Sequence, residues 1–381
     1  MTMILQDLGF VCALGLSRDE IVANAKNGDT SGMFRDMPVV AGVSVPFGAV
    51  DIQTTQQIRC FDLLLAALKQ IEHGINKLKS EYALNRLGIV LGASNTGIHE
   101  AQQHINQALK TGQMPSDFSL TEIELYSPAD FLREKTGFMG PSYTVSTACS
   151  SSAKVFKDAA DLIEQDICDA VLVGGVDARC DFALNGFNAL SALSYKHTNP
   201  MSKNREGINL GEGAALFIMT RGDRGIKLLG VGESSDAYHL TSPDPTGSGA
   251  IASMCGALKD ANLTPNQIDF INMHGTGTIA NDAMESLAIN SVFGNNVLCA
   301  STKPLTGHTL GAAGAISAAL SWLMIKYQFV IPHVFDGEYA NDCAQIKLAS
   351  KSEQKNINTV LCNAFAFGGS NASIIIGCQN G

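Results

Sequence analysis

The chain has 381 residues, 45% of them hydrophobic and 16% charged, which predicts a globular protein of about two to three average domains. The formal net charge of −10 argues against nucleic acid as the main partner, because phosphate binding requires a basic surface. No apolar run approaches the roughly 20 residues that span a bilayer, and the N-terminus lacks the basic region of a signal peptide, so a soluble cytoplasmic protein is expected.

Ten cysteines are scattered along the sequence, and none of them forms a CxxC pair. Several stand within apolar runs, which is typical of reduced, buried thiols that pack as small hydrophobic side chains. His99 and His104 are five residues apart rather than four, so on a helix they do not share a face as a zinc-binding pair would. No metal site is therefore expected.

Apolar, β-branched runs recur along the chain and predict strands that are buried on both faces. They fall at 87–93, 169–175, 214–219, 226–232, 268–273, 359–366 and 372–377. Helix-patterned stretches lie among them, at 59–78, 150–165, 247–260, 281–292 and 311–327. Because strands alternate with helices, the sequence predicts an α/β fold with sheets covered on both sides.

The stretch 311–325 differs from the other predicted helices because it is apolar all round and rich in Ala and Gly. Such a helix is completely buried, which predicts a central helix between two sheets. A coarse break falls at 222–226, and each side of it has its own series of strands and helices. Two halves of similar architecture are therefore expected.

Cys149 stands at an informative junction in this series. A β-rich run over 143–147 leads into it, and a helix-patterned run begins near Ser150. The N-terminus of a helix can lower the pKa of a thiol, and small neighbouring residues permit a sharp strand-to-helix turn that opens the sulfur to substrate. The segment predicts a nucleophile; the alternative is a residue that only fills a helix cap.

Two histidines and a lysine follow predicted strands further along the chain. His274 comes directly after 268–273, and Lys303 and His308 lie in the loop after 296–300. A third loop, "NAFAFGGSNA" at 363–372, has backbone N–H groups freed by two glycines. A histidine of this kind is often structural when it stands alone. Together with Cys149, these groups supply the parts that acyl transfer needs, at the carboxyl ends of strands where α/β folds place their sites.

These motifs together resemble those of the β-ketoacyl synthases, the condensing enzymes of fatty-acid and polyketide synthesis, which share the thiolase fold. The resemblance is carried by "TACSSS" (147–152), "HGTGTIANDAMES" (274–286), "KPLTGHTLGAAGA" (303–315) and "NAFAFGGSNA" (363–372). The Cys–His–His set separates it from the initiating synthases, which have Cys–His–Asn, and from thiolases. The short N-terminal third weakly resembles the ketosynthases of aryl-polyene and related specialised pathways.

The resemblance implies a thiolase-like α/β fold of two similar halves, 1–223 and 224–381, layered α-β-α-β-α with two mixed sheets around buried central helices. It implies that Cys149 takes the acyl group from a thioester on acyl carrier protein. His274 and His308 would then act on malonyl carrier protein, promoting loss of CO2 and stabilising the enolate that attacks the acyl group. The chain length and type of that acyl group stay open.

Further roles follow from the same resemblance. The backbone N–H groups of Cys149 and Phe367 would form an oxyanion hole. Lys303 would set the local charge, paired with Glu285 or Glu212; its alternative is a surface salt bridge. An aromatic gate to the acyl pocket and a substrate-binding loop would complete the site, with Phe365 and Phe367 in the gate and Thr276, Thr278, Gly368 and Gly369 in the loop.

The implied partners are acyl carrier protein, whose phosphopantetheine carries the substrates, and a second subunit. That subunit would form a homodimer, or a heterodimer with a homologous ketosynthase-like chain. No cofactor is expected besides the phosphopantetheine of the carrier. The acid-rich carrier needs a basic patch, for which the candidates are Arg59, Arg133, Lys135, Lys154 and Lys157.

Other functions stay open at this point. A non-elongating acyltransferase or a malonyl carrier protein decarboxylase of the same fold would use the same residues. A non-catalytic subunit that shapes a ketosynthase's pocket typically lacks the nucleophile, which is present here as Cys149. A papain-like cysteine hydrolase needs only one histidine and leaves Lys303 and His308 unexplained. A carrier-protein-dependent condensing enzyme is therefore the expected function.

Overall fold

The computed structural model of the protein describes residues 2–34, 36–39, 42–351 and 353–378. Its strands are β1 Met3–Cys12, β2 Met37–Pro38, β3 Ser44–Val45, β4 Leu87–Gly92, β5 Ser142–Val145, β6 Ala170–Asp177, β7 Gly213–Arg221, β8 Lys227–Ser235, β9 Phe270–Met273, β10 Leu298–Ser301, β11 Lys347–Leu348, β12 Thr359–Phe365 and β13 Ser370–Gly377. Its α-helices are α1 Arg18–Asn27, α2 Arg59–Gln70, α3 Glu72–Glu81, α4 Ile98–Thr111, α5 Ser127–Thr136, α6 Ser151–Glu164, α7 Asp181–Ala189, α8 Ser248–Asp260, α9 Ile279–Phe293, α10 Lys303–Thr306 and α11 Ala313–Tyr327.

Each predicted buried strand corresponds to a strand of the structure, and the helix predicted over 59–78 is the one that differs most. It is broken at Ile71, which separates α2 from α3 and has a φ of −115°. The Ile71 N–H bonds to the Leu68 carbonyl oxygen, three residues earlier, instead of the carbonyl four residues earlier as in a regular α-helix. The Ile71 side chain is fully buried and fixes the kink against the core. Helical periodicity predicted the two faces correctly but carried no signal for the break.

One sheet contains eleven strands, in the order β11-β10-β9-β12-β13-β8-β1-β7-β6-β4-β5. The series β1-β7-β6-β4-β5 and the series β8-β13-β12-β9-β10 are built alike, with two antiparallel pairings followed by two parallel ones. The two half-sheets are joined only where β1 pairs with β8, at Met3 and Ile4. The two expected mixed sheets are therefore continuous at one short ladder.

Helices form three layers around these two half-sheets. The central layer is α6 packed against α11, and each of them also contacts strands of both halves. Helices α2 and α5 cover the outer face of one half, and α8 covers the outer face of the other. The central helices approach closely because a Cβ added at Gly314 would lie 2.4 Å from the backbone nitrogen of Ala153. The layered α-β-α-β-α arrangement predicted from the sequence is confirmed.

Helix α11 is the apolar helix that the sequence placed at the centre. The segment Leu310–Tyr327 is long and apolar enough to cross a membrane by composition alone, but 89% of it is buried inside the protein. Every residue of α11 from Ala313 to Ile325 is buried. It is therefore a core helix, and its uniform apolarity follows from contact with strands on both sides.

Candidate active site

Cys149 lies between the end of β5 and the start of α6, and its exposed fraction is 6%. The preceding residue, Ala148, has a φ of 52°, in the left-handed region that non-glycine residues rarely adopt. Two hydrogen bonds from Ser151 support this turn: its Oγ accepts from the Thr147 N–H at 2.8 Å and donates to the Ala148 carbonyl at 2.5 Å. The predicted sharp turn from strand to helix is therefore present and internally braced.

The two histidines lie beside the sulfur. His308 Nε2 is 3.0 Å from Cys149 Sγ. The ring of His274 is perpendicular to that of His308, with 5.2 Å between ring centroids and an interplanar angle of 87°. His274 follows β9 and His308 follows β10, which are parallel neighbours, so their carboxyl ends meet at the same edge of the sheet. Three residues that are far apart in sequence thus converge as predicted.

Burial dominates the pKa of the Cys149 thiol. Burial raises its pKa to about 12, although the charge of Lys303 and hydrogen bonds from the backbone N–H groups of Phe367 and Cys149 act to lower it. The net pKa is raised because desolvation of the buried sulfur outweighs these lowering effects. At neutral pH the thiol therefore keeps its proton until an acceptor takes it.

His308 is suited to be that acceptor. Burial, reinforced by the charge of Lys303, holds the pKa values of His274 and His308 well below their usual range, so both imidazoles are neutral at pH 7. A neutral His308 can present the lone pair of Nε2 to the thiol proton of Cys149. Its other nitrogen, Nδ1, is buried and has no hydrogen-bond partner among the described residues.

Lys303 and Glu285 lie beneath the histidines, but they are not paired as expected. The Lys303 ammonium donates a hydrogen bond to the carbonyl oxygen of His274. Glu285 accepts from the backbone N–H groups of His274 and Gly275 at 2.7 and 2.6 Å. Burial lowers the pKa of Lys303 to about 8, against the opposing charge of Glu285. The lysine and the carboxylate therefore both hold the His274 turn and act on each other through their electric fields.

Glu212 is the second partner proposed for Lys303, and the structure places it elsewhere. Its Oε1 lies 2.8 Å from Arg59 Nη2, and it also accepts from the backbone N–H groups of Val50 and Arg179. The expected pairing of Glu212 with Lys303 was wrong. The carboxylate of Glu212 therefore stabilises the segment around residue 50 and has no contact with Lys303.

The glycine loop after β12 faces Cys149 and is held by tight backbone contacts. Gly368 and Gly369 have φ values of 81° and 74°. A Cβ on Gly369 would lie 3.2 Å from the backbone nitrogen of Asp236, so this position needs glycine for both reasons. The Gly368 N–H donates to the carbonyl oxygen of Leu240 at 2.7 Å. The loop thereby holds the Phe367 backbone close enough to Cys149 for its N–H to lower the pKa of the thiol.

The two predicted gate residues occupy different positions. Phe365 is buried at the end of β12, and its ring centroid is 6.1 Å from that of His274. Phe367 is half-buried and contacts Phe187 of α7, with 5.5 Å between ring centroids. Phe365 therefore packs as a wall behind the histidine, whereas Phe367 stands at the opening of the cavity.

Thiol, histidines and loops enclose one cavity of about 280 Å³. Its lining includes the side chains expected to contact substrate: Cys149, His274, His308, Thr276, Thr278, Phe365 and Phe367. Leu190, Ile208 and Phe187 add apolar surface that the sequence did not assign to the site. No group of three or more His, Cys, Asp or Glu side chains suited to a metal ion occurs within the described ranges.

Two further residues support the site and were missed in the sequence. Asn363 donates from Nδ2 to Glu285 Oε1 at 3.2 Å, which fixes the carboxylate that holds the His274 turn. Asp282 is fully buried and accepts from the backbone N–H groups of Gly277 and Met201, at 3.1 and 2.9 Å. Both residues lie inside motifs that carried the resemblance. Their polar side chains within these motifs were the sequence signal that could have identified them.

The fold and this site define a class of protein, and comparison with known families identifies it. The family model described as "Beta-ketoacyl synthase, N-terminal domain" matches residues 39–224, and "Beta-ketoacyl synthase, C-terminal domain" matches residues 226–335. The chain belongs to the β-ketoacyl synthase family. It is an acyltransferase of that family, acting in fatty-acid or polyketide elongation, as the motifs predicted.

Individual relatives agree with this assignment. The chain is 30% identical over 361 residues to 3-oxoacyl-[acyl-carrier-protein] synthase 2 of Vibrio harveyi, covering 88% of this chain and 86% of that protein. It is 31% identical over 310 residues to the enzyme of the same name from Coxiella burnetii, covering 76% and 75%. Among solved structures, the ketosynthase ApeO in complex with its chain length factor ApeC from Xenorhabdus doucetiae superimposes with a TM-score of 0.95 and 37% identity, covering 99% of this chain and 98% of that one.

Proposed function

We propose that Cys149 is the nucleophile that accepts the acyl group from a thioester on acyl carrier protein. The observation that carries this proposal is the 3.0 Å contact between Cys149 Sγ and His308 Nε2 inside the catalytic cavity. As the sulfur bonds to the acyl carbon, its proton passes to Nε2 of the neutral His308. The pantetheine thiolate then leaves and takes that proton back, so the acyl-enzyme and a free carrier thiol result.

The backbone N–H groups of Cys149 and Phe367 form the oxyanion hole in this proposal. Both N–H groups act on the sulfur strongly enough to lower its pKa, which supports a position beside the carbon that the sulfur attacks. Such donors are fixed before the reaction and need no reorganisation; each is worth about 3 kcal/mol in comparable sites. The left-handed Gly368 and Gly369 keep the Phe367 donor in place.

In the second half-reaction malonyl carrier protein enters and the two histidines act together. N–H donors of His274 and His308 would bond the thioester carbonyl oxygen while the malonyl carboxylate leaves as CO2, with its bonding electrons forming the enolate. The enolate carbon attacks the acyl carbonyl on Cys149, and the Sγ–carbon bond breaks to leave the Cys149 thiolate, which then takes up a proton from water. Lys303 and Glu285 hold the His274 turn, while burial and the charge of Lys303 keep both imidazoles neutral.

Residues at the cavity opening receive the phosphopantetheine arm. Thr276 and Thr278 line the cavity, with 3.0 Å between their hydroxyl oxygens, and can bond the amide groups of the arm. Phe367 stands beside Phe187 as the gate to the acyl pocket. The carrier brings this arm with each substrate, and we propose that the enzyme needs no resident cofactor.

We propose that the chain pairs with a second, homologous subunit, as the similar ketosynthase of Xenorhabdus doucetiae does with its chain length factor. A cytoplasmic location is proposed because the one long apolar helix found in the described ranges is buried and all ten cysteines are free. A division into halves 1–223 and 224–381 is supported by the repeated strand order and by family models that meet at 224–226.

The test is mass spectrometry of the acyl group trapped on Cys149 after incubation with a panel of acyl carrier proteins, followed by addition of malonyl carrier protein. Wild type should carry an acyl adduct on Cys149 and then release a β-ketoacyl product. Cys149→Ala should do neither, whereas Cys255→Ser, which changes the exposed cysteine of α8, should do both. Elongation by Cys149→Ala would refute the proposal, and CO2 release without a new C–C bond would favour a decarboxylase.

A further inference from the structure

The turn formed by His274 and Gly275 is held through all four of its backbone polar groups. Glu285 accepts from both N–H groups, and the Lys303 ammonium donates to the His274 carbonyl oxygen. The fourth group, the Gly275 carbonyl oxygen, accepts a hydrogen bond of 2.6 Å from the hydroxyl of Ser301. Because a buried backbone carbonyl needs a partner, Ser301 completes the set of contacts that fixes the turn.

Ser301 is the last residue of β10 and is fully buried. Its Oγ also accepts from the Lys303 N–H at 3.2 Å, so the hydroxyl makes one bond as an acceptor and one as a donor. A Cβ added at Gly275 would lie only 2.5 Å from the Cβ of Ser301, so the turn lies directly against the end of the strand. Ser301 does not line the catalytic cavity, and its hydroxyl therefore acts on the reaction only through the position of His274.

The buried ring of His333 fixes the backbone of Ser301. The Ser301 N–H donates to His333 Nδ1 at 3.1 Å, so this nitrogen carries a lone pair. The proton of the neutral ring is therefore on Nε2, which donates to the carbonyl oxygen of Pro200 at 3.0 Å. Burial lowers the pKa of His333 to about 4, so the ring keeps this arrangement at pH 7.

The segment that contains Pro200 contacts the same catalytic loop. Met201, the next residue, is fully buried and has a φ of 66°, in the left-handed region that non-glycine residues rarely adopt. Thr198 Oγ1 lies 3.2 Å from the carbonyl oxygen of Thr276. His333 therefore joins the end of β10 to a segment of strained backbone that contacts the loop after the catalytic histidine.

His308 is held by a different set of contacts. Its N–H donates to the carbonyl oxygen of Asn209 at 2.8 Å, and its own carbonyl oxygen accepts from the Gly211 N–H at 3.1 Å. Neither bond involves Ser301 or His333. The pair of Cys149 and His308 is therefore expected to keep its geometry when the His274 turn is loosened.

We propose that Ser301 and His333 are positioning residues for the second half-reaction, because they hold the His274 ring where it bonds the malonyl thioester oxygen. The inference rests on the proposed function, in which His274 acts on malonyl carrier protein and takes no part in the acylation of Cys149. Without the Ser301 hydroxyl, the Gly275 carbonyl has no other partner among the described residues, and the turn can shift. A displacement of about 1 Å is enough to slow a reaction that depends on an aligned donor.

The test compares Ser301→Ala with Thr136→Val as a matched control. Thr136 is buried at the end of α5, and its hydroxyl likewise donates to a backbone carbonyl and accepts from a backbone N–H. In Ser301→Ala, CO2 release from malonyl carrier protein and β-ketoacyl formation should both slow at least about tenfold. Acylation of Cys149 by an N-acetylcysteamine thioester should stay within about twofold of the wild-type rate, because it does not use His274. Thr136→Val should change neither half-reaction.

His333 provides a second variant and a conservative replacement. His333→Leu removes both ring nitrogens and should cause the same selective loss, whereas His333→Asn, whose Oδ1 can accept from the Ser301 N–H, should recover part of it. Equal losses in the two half-reactions would show a merely structural role and overturn the proposal, as would unchanged β-ketoacyl formation in Ser301→Ala and His333→Leu. Absence of an acyl adduct on wild-type Cys149 would instead overturn the proposed function itself, and this inference with it.

Discussion

Replacing Lys303 should remove a pH-dependent part of the free energy of unfolding. The residue is 4% exposed, and burial lowers its pKa from 10.5 to about 8 against the opposing charge of Glu285. Between these two pH values the unfolded chain keeps a proton that the folded chain has released. Because stability rises with pH wherever the unfolded state binds more protons, the wild type should gain about 3 kcal/mol across this window. The gain is complete above the unfolded pKa and lost as pH falls through the folded one.

Urea unfolding at a series of pH values from about 8 to about 10.5 measures this effect in wild type, Lys303→Met and Lys303→Arg. Methionine carries no charge and arginine stays charged throughout, so neither variant has a titrating group at this position. Groups remote from Lys303 titrate alike in all three proteins and cancel in the differences. The stability of the wild type relative to either variant should rise by about 3 kcal/mol with pH. Differences that stay flat with pH would refute the depressed pKa.

Three further substitutions test other parts of the site. His308→Ala should slow iodoacetamide alkylation of Cys149 at neutral pH by at least about tenfold, since the buried thiol loses the acceptor for its proton; an equal rate would exclude that route. Gly369→Ala should lower the free energy of unfolding by more than about 1 kcal/mol and reduce kcat, because its φ is 74°; an unchanged thermal midpoint would contradict this. Glu212→Gln should cost about 3 kcal/mol of stability by leaving Arg59 without its partner, with kcat near wild type; a large loss of kcat at normal stability would return Glu212 to the catalytic set.

The sequence was sufficient for the reacting groups because each stands at the carboxyl end of a strand. His274 and His308 could be predicted to meet once their strands were known to be buried and parallel, since parallel strands end at one edge. Cys149 follows a strand of the other half-sheet, and it meets the histidines because the two halves pack together through α6 and α11. The central position of α11 likewise followed from its composition alone. These predictions depend on local pattern and on a rule that holds for the whole class of α/β sheets.

The predictions that failed depend on contacts between distant segments. Glu212 and Arg59 are separated by 153 residues, and no local pattern indicates which cation a buried carboxylate will meet. The direction of the Cys149 pKa shift also could not be predicted, because burial and the charge of Asp177 raise the pKa while the charge of Lys303 and two backbone donors lower it, and the depth of burial is a property of the packed structure.

The repetition of strand order places the two reacting atoms at equivalent positions of the two halves, Cys149 after β5 and His308 after β10. The distance between Cys149 Sγ and His308 Nε2 therefore depends on the relative position of the two halves. Helix α11 has 15 residues and is about 22 Å long. A tilt of about 5° would move one end by roughly 2 Å, enough to separate donor and acceptor. The close contact of α6 with α11 thus limits how far the two halves can shift against each other before Cys149 and His308 separate.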